Sequence, residues 1–312
     1  GDHRVLHRVV RRQRQMCIRD SMRTNNHPLE QSVLYNVGSI SRLAAILGLP
    51  KENLEKIANG TDNYSTRSIE INKNGKIKQR IIQEPKGQLR PIHVSIRRLL
   101  SRISPPNFLY CPVKRRSYVG NAMQHILAKE IRTLDLKSYF PSTPRHRVFW
   151  FFNKIMKCTS DVSAVLAKLL TVENHLATGS TVSPILSFFA FYDMWNEISK
   201  LVREAGCVLT VYIDDITISG TSVPGKLVWM VKKEIHKRGL IYHKERYFAN
   251  GIGEITGVII KDGSASVPNR QLRKAYDIRA RVCAAVEEDE ARRLKAQLLG
   301  LKQQRKQVEG KR

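Results

Sequence analysis

Apolar residues three and four apart open the readable part of the chain. Ile40, Leu43, Ile46 and Leu47 make one helical stripe, closed by Gly48 and Pro50, and Leu54 and Ile57 continue in a second short helix. The period then shortens: residues 67–72 and 77–83 flank Asn74-Gly75, a strong hairpin signal. Pro85 and Gly87 mark a loop, and residues 92–103 predict a basic amphipathic helix that ends before Pro105-Pro106. Residues 117–129 predict a helix, 131–136 a strand, Pro144 the start of an aromatic-rich helix, and 162–172 a further helix. After the Gly/Ser/Thr loop 178–183, Pro184 opens a helix running to about Glu204. Residues 208–212 and 216–219 predict strands around Asp214-Asp215, and 223–238 a helix. Residues 255–260 and 265–267 flank Asp262-Gly263, a second hairpin, and 270–307 predict a long charged helix. No repeat period is apparent. The order between 131 and 238 predicts an α+β layer, an antiparallel sheet backed by helices.

Composition turns this architecture towards a class of partner. The 312 residues carry 54 Lys and Arg against 27 Asp and Glu, a net charge of +27, and 42% are hydrophobic, enough for a real core. Such an excess fits a polyanion, nucleic acid first and anionic membrane second. With no run of about 18 apolar residues, a transmembrane helix is excluded and no membrane partner is expected. No apolar signal core is present either. The five cysteines form no CxxC pair, so neither a zinc ribbon nor a disulfide framework is signalled; thiols of a reducing cytoplasm are the plain reading. Residues 1–21 look foreign to the rest. Their string MCIRDS resembles translated sequencing-adapter read-through, so they read as a non-native or disordered basic tail, the rival being a nucleic-acid-binding arm.

In so basic a chain the carboxylates on strands stand out. Asp135 lies in an otherwise apolar strand, where an unpaired charge would cost several kcal/mol. Asp214-Asp215 sits between two apolar strands. If strand 131–136 pairs beside that hairpin, Asp135 and Asp214 converge and demand a cation. Oxygen ligands without His or Cys favour Mg²⁺ over zinc. The bland readings are an Asp-rich turn for Asp214-Asp215 and a salt bridge to a nearby Arg for Asp135.

Taken together, the segment resembles a reverse transcriptase palm. YIDD (212–215) resembles the polymerase signature and LDLKSYFPS (134–142) the first acidic motif. In order along the chain, KQRIIQEP (78–85) resembles a basic fingers strand, GLIYHKERY (239–247) the segment after the palm helix, and ITG (255–257) the primer-grip hairpin. NAMQH (121–125) resembles the NAxxH motif of the bacterial retron branch, and ITG with Val258 the retron VTG triplet; as a bare pattern, Asn121 and His125 are also simply an i, i+4 pair on a helix.

The resemblance implies a right-hand polymerase fold with an order of parts: tail 1–21, N-terminal helical region 22–66, fingers 67–130, palm 131–254 with inserted fingers helices, primer-grip hairpin 255–268, and a helical thumb 269–312 that is short relative to the family. It implies an RNA-directed DNA polymerase that copies a cognate structured non-coding RNA into retron RNA–DNA (msDNA), starting from a ribose 2′-OH, within antiviral defence alongside a toxin or effector protein. By the same resemblance, Asp135, Asp214 and Asp215 are catalytic and hold two Mg²⁺ ions. Lys78, Arg80, Phe140, Gly179 and Arg246 meet the dNTP, with Phe140 as a steric gate against NTPs. Asn121, His125, Tyr212, Thr256 and Gly257 meet the RNA–DNA duplex. Other readings are a solvated edge strand for Lys78 and Arg80 and a core aromatic for Phe140. Tyr139, Tyr212 and Tyr247 read as base-stacking or core residues.

The chain departs from the family at Thr178, where Gln is usual, Thr181 for Pro and Phe188 for Asn. It departs also at His243 for Asn and Arg246 for Lys, where Lys244 offers a substitute proton donor. Thr178 and Arg246 keep open a catalytically weakened RNA-binding scaffold; the other alternative, within the family, is a group II intron-like or other defence-associated reverse transcriptase.

Overall fold

The computed structural model describes residues 26–73, 76–285 and 287–310. The basic tail and the Asn74-Gly75 turn lie outside the described residues. In chain order come α1 (Ile40–Leu47), α2 (Lys51–Asn59), β1 (Tyr64–Lys73), β2 (Lys76–Pro85), α3 (Leu89–Leu100), β3 (Leu109–Cys111), α4 (Tyr118–Met123), β4 (Glu130–Leu136) and α5 (Arg145–Trp150). Then follow α6 (Ser160–Leu170), β5 (Thr171–Val172), β6 (His175–Leu176), α7 (Ser183–Ala190), α8 (Tyr192–Glu204), β7 (Val208–Tyr212), β8 (Asp215–Gly220) and α9 (Gly225–Lys237). The chain continues through β9 (Tyr242–Phe248), β10 (Gly253–Ile255), β11 (Val258–Lys261), β12 (Ser264–Ser266), α10 (Asn269–Ala284) and α11 (Glu288–Glu309). The result is a mixed α+β protein. Among the described residues no helix is long and apolar enough to cross a membrane.

The chain divides into two compact units. The first takes in the described residues up to Pro105, with Val148–Leu170 and Gly179–Val182. Ser39 caps α1 by accepting from the Arg42 N–H at 3.2 Å, and Gly48 closes it at φ 72, a conformation that costs glycine nothing. Leu43, Leu54 and Ile57 of the predicted stripe are buried. β1 and β2 pair antiparallel over their whole length, in the register that places Ile69 opposite Arg80. α3 begins three residues earlier than the spacing predicts, because Pro91 falls in its first turn, where no N–H is needed. In this unit Gly179 passes hard against β2, its N–H donating to the Gln83 carbonyl at 2.9 Å. A Cβ there would stand 2.5 Å from Glu84 Cγ and 2.9 Å from the Gln83 oxygen. Gly179→Ala is therefore expected to lower stability by about 1–3 kcal/mol, read as a shift in the urea midpoint; an unchanged midpoint would show that the loop yields freely.

The second unit takes in Pro106–Arg147, Thr171–Thr178 and the described residues from Ser183 onward. Its frame is a five-stranded sheet of order β3-β7-β8-β4-β9, in which only β3 runs parallel to its neighbour. Strand alternation sorts the residues onto two faces. Leu134, Ile216, Ile218, Val211 and Leu209 are buried on one. Glu245, opposite Leu134 in register, pairs with Lys232 of α9 at 2.6 Å and places α9 on that face. The other face carries Thr133, Asp135, Asp215 and Thr217. A second cluster, Val119, Ala122, Ile126, Ile131, Ile255, Val258, Ile260, Val267 and Val308, ties α4 and α11 to the small sheet β10-β11-β12.

Other elements also differ from their prediction. The helix expected over 117–129 stops at Met123, because Ile126 drops into the second cluster while His125 is drawn to buried hydroxyls. The helix expected over 184–204 breaks at Phe191, where an all-round apolar run is buried on every side and changes direction. The long terminal helix breaks between Ala284 and Glu288; Glu288, Asp289 and Glu290 open α11, where acidic residues favour a helix N-terminus. Residues 171–172, expected as helix, pair as a short strand with β6.

Candidate active site

The β7–β8 hairpin turns through Ile213 and Asp214, closed by the pairing of Tyr212 with Asp215. Ile213 takes φ 61, a left-handed conformation that a β-branched residue adopts only when its surroundings enforce it, at a cost of about 1–3 kcal/mol. That turn fixes where the two acids point. β4 pairs with β8 in the register that sets Asp135 directly opposite Asp215, and the Leu136 N–H donates to the Asp214 carbonyl at 3.0 Å. On the other side of β4, β9 sets Lys244 opposite Asp135 and Arg246 opposite Thr133.

Thr133, Asp135, Asp215, Lys244 and Arg246 line a cavity of about 300 Å³ together with Tyr212, Thr217, Glu254, Thr256 and Gly257. Its electrostatics are those of crowded carboxylates held by cations. Lys244 Nζ lies 2.9 Å and His243 Nε2 3.6 Å from Asp135 Oδ2. Asp215 is pushed up to about 6, first by burial and then by the charges of Asp214 and Asp135, against the pull of Lys244 and Arg246. Glu254 is held below the ordinary carboxylate range by Arg270, which donates from Nη1 at 2.8 Å.

Around this cavity the predicted residues separate. Asp135, Asp215, Arg246, Tyr212, Thr256 and Gly257 come together, with Asp214 on the adjoining turn. Thr256 takes φ 47 and Gly257 φ 81; the Thr256 hydroxyl donates to the Tyr118 carbonyl at 3.1 Å and accepts from Asn121 Nδ2 at 3.4 Å. Asn121 and His125 are buried rather than a surface pair. The His125 imidazole bridges Ser219 Oγ at 2.6 Å and Thr210 Oγ1 at 2.7 Å, joining β8 to β7, and burial lowers it to about 3. Phe140 is half-buried, its ring 6.1 Å from that of the buried Tyr139. Tyr247 lies on the opposite sheet face under Arg132, 4.0 Å from its ring centroid. Lys78, Arg80 and Gly179 belong to the first unit; Arg80 is exposed on β2, and the Lys78 side chain lies outside the described ones. Thr133, Thr217 and Glu254 were not singled out from the sequence. The first two sit two residues from Asp135 and Asp215, so the two-residue strand period places them on the same face.

Among the described residues no three His, Cys, Asp or Glu side chains stand close enough, as they are placed, to hold a metal ion. The donor set nonetheless fits a hard cation. Its carboxylates supply hard oxygen donors, with the His243 imidazole beside Asp135, and the charges of Asp214 and Asp135 add to burial in raising Asp215, a repulsion that a divalent cation would relieve.

No protein-family model matches the chain. It is similar to the retron Se72 reverse transcriptase of Salmonella heidelberg (strain 579083-10), with 29% identity over 185 residues, 59% of this chain and 48% of that protein. It is similar also to the retron Ec86 reverse transcriptase of Escherichia coli, with 26% identity over 229 residues, 71% of this chain and 70% of that one. With the E. coli retron Ec48 reverse transcriptase it shares 24% identity over 147 residues, 41% and 36% of the two chains. The chain thus spans about half the length of the Se72 protein. Among solved structures, a foamy viral protease–reverse transcriptase in complex with double-stranded DNA matches at a TM-score of 0.42 and 17% identity, over 76% of this chain and 35% of that one, too low to assign a fold. By sequence, then, the chain is a relative of the retron reverse transcriptases.

Proposed function

We propose that this chain is an RNA-directed DNA polymerase that copies a cognate structured non-coding RNA into retron RNA–DNA within an antiviral defence system, in company with an effector protein. The observation that carries the reading is the register pairing of Asp135 with Asp215 inside a cavity also lined by Lys244 and Arg246. In this reading the second unit holds the palm, with β10-β11-β12 as primer grip and α10–α11 as thumb, and β1–β2 belongs to the fingers.

Asp135, Asp214 and Asp215 are the residues that would hold two Mg²⁺ ions. When bound, these ions supply an acidified primer hydroxyl and charge neutralisation on the triphosphate. The protein's own part is placement. The strained Ile213 turn aims the two acids, and Lys244 and Arg246 offer positive charge to an incoming triphosphate. Thr256 and Gly257 would meet the nucleic acid strand at the cavity edge, Gly257 with an open backbone and Thr256 held in place by its hydroxyl's bonds to Tyr118 and Asn121. Phe140 would exclude the ribose 2′-OH of an NTP. His125 acts in this scheme on the same sheet face as the acids, buried at the far end of the strands, by joining β7 to β8 through Thr210 and Ser219.

The test is extension of a primer annealed to RNA by the full chain with dNTPs and Mg²⁺. Template-directed incorporation of dNTPs in preference to NTPs is expected. Tight RNA binding with no incorporation would instead favour the scaffold reading, to which the Lys244 ammonium seated on Asp135 gives some support.

A further inference from the structure

Trp229 stands on the outward side of α9 with 59% of its surface exposed, whereas Trp195 in the neighbouring α8 is fully buried. Helical spacing sets Lys226 one turn before it, Lys233 one turn after and Lys237 one turn beyond that, all exposed. Lys233 Nζ lies 5.2 Å from the Trp229 ring centroid. Every ionisable residue at an exposed position of α9 is basic. Its single acid, Glu234, is turned inward and held by Lys237 at 3.7 Å and Arg238 at 3.8 Å.

This stripe is separate from the cavity. Leu227, Val228, Val231 and Ile235 bury the inner side of α9, and the Lys232–Glu245 pair fixes the helix to the sheet face opposite Asp135 and Asp215. A duplex seated in the cavity therefore lies across the sheet from Trp229.

We propose that this face of α9 binds single-stranded nucleic acid, an unpaired base stacking on Trp229 while the flanking phosphates meet Lys226 and Lys233. Those two lysines are about 10 Å apart along the helix axis, a reach that brackets one stacked base. Charge and shape select this occupant. Trp229 is the one large apolar side chain exposed on α9, so the face has no groove or apolar row into which a protein helix could settle. An aromatic plane fenced by cations is the arrangement that accepts any base by stacking and its backbone by charge. The inference does not depend on the polymerase reading.

Intrinsic fluorescence of the full chain tests it, because only three tryptophans contribute. The parent and Trp229→Phe are titrated with a uridine oligonucleotide, a duplex RNA of equal length and polyglutamate. Saturable quenching by the single strand is expected in the parent, and Trp229→Phe should lose that component. The double variant Lys226→Glu/Lys233→Glu should bind at least about tenfold more weakly and lose roughly 0.7 of log–log salt slope per lysine. Trp229→Phe should extend a generic RNA-primed template at the parental rate. The idea is overturned if the quenching survives in Trp229→Phe or if the charge reversals leave it unchanged. It is equally overturned if duplex RNA or polyglutamate matches the single strand, the last pointing to an acidic protein surface.

Discussion

Asp135→Asn and Asp215→Asn are each expected to cut single-nucleotide incorporation on a primed RNA by at least about 1,000-fold, since a metal-held carboxylate supplies several kcal/mol at the transition state and each 1.36 kcal/mol is tenfold. The two acids face each other across a strand pair, so neither can be replaced by the other. The same substitutions should not unfold the protein. Asp215 is half-buried beside two like charges, and a neutral amide of the same shape relieves that repulsion. Asp215→Asn is therefore expected to unfold in urea no earlier than the parent. Loss of incorporation with an unchanged or raised midpoint is the outcome that assigns the acids to chemistry. Undiminished incorporation in either variant would remove them from it.

His125→Ala is expected to cost about 3–5 kcal/mol of stability, because it opens a cavity and leaves two buried hydroxyls without their partner. Ser219 and Thr210 are both buried, and the imidazole meets one with each nitrogen. The effect has a pH signature. His125 is lowered to about 3 by burial from the usual 6.5, and His93, held by Ser180 and the Leu169 carbonyl, to about 4. The unfolded chain then binds more protons than the folded one below about pH 6.5. Stability is complete above that value and is lost as the pH falls towards 3–4. The parent should show this fall in its urea midpoint, and His125→Ala a shallower one. A cost below about 1 kcal/mol with an unaltered pH slope would mean that the bridge between β7 and β8 bears little weight.

The two histidines also show the limit of pattern reading. NAMQH places Asn121 and His125 one helical turn apart, but a sequence cannot say which way that turn faces. Burial depends on Ser219 and Thr210, which arrive from strands some ninety residues away. The missed strand β9 has a different cause. Its residues are nearly all charged or exposed, so the apolar alternation that announces a strand is absent; edge pairing to β4 makes it one. Lys244 and Arg246 reach the cavity by that pairing.

Local pattern was sufficient wherever the physics is local. The helical stripe at Ile40, the β4 run, the two apolar strands around Asp214-Asp215 and the Asp262-Gly263 turn depend on side-chain period and backbone preference within a few residues. That the strand acids gather and need an answering charge was legible too, because an ionised carboxylate on an apolar strand is costly unless a cation or a hydrogen-bond donor answers it. Register was not. Whether Asp135 meets Asp214 or Asp215, whether Lys244 or a metal ion answers its charge, and which side of α9 is left with an uncovered tryptophan all follow from how distant segments pair and pack. Those pairings are set by the buried faces of the sheet as a whole, and no single segment carries them.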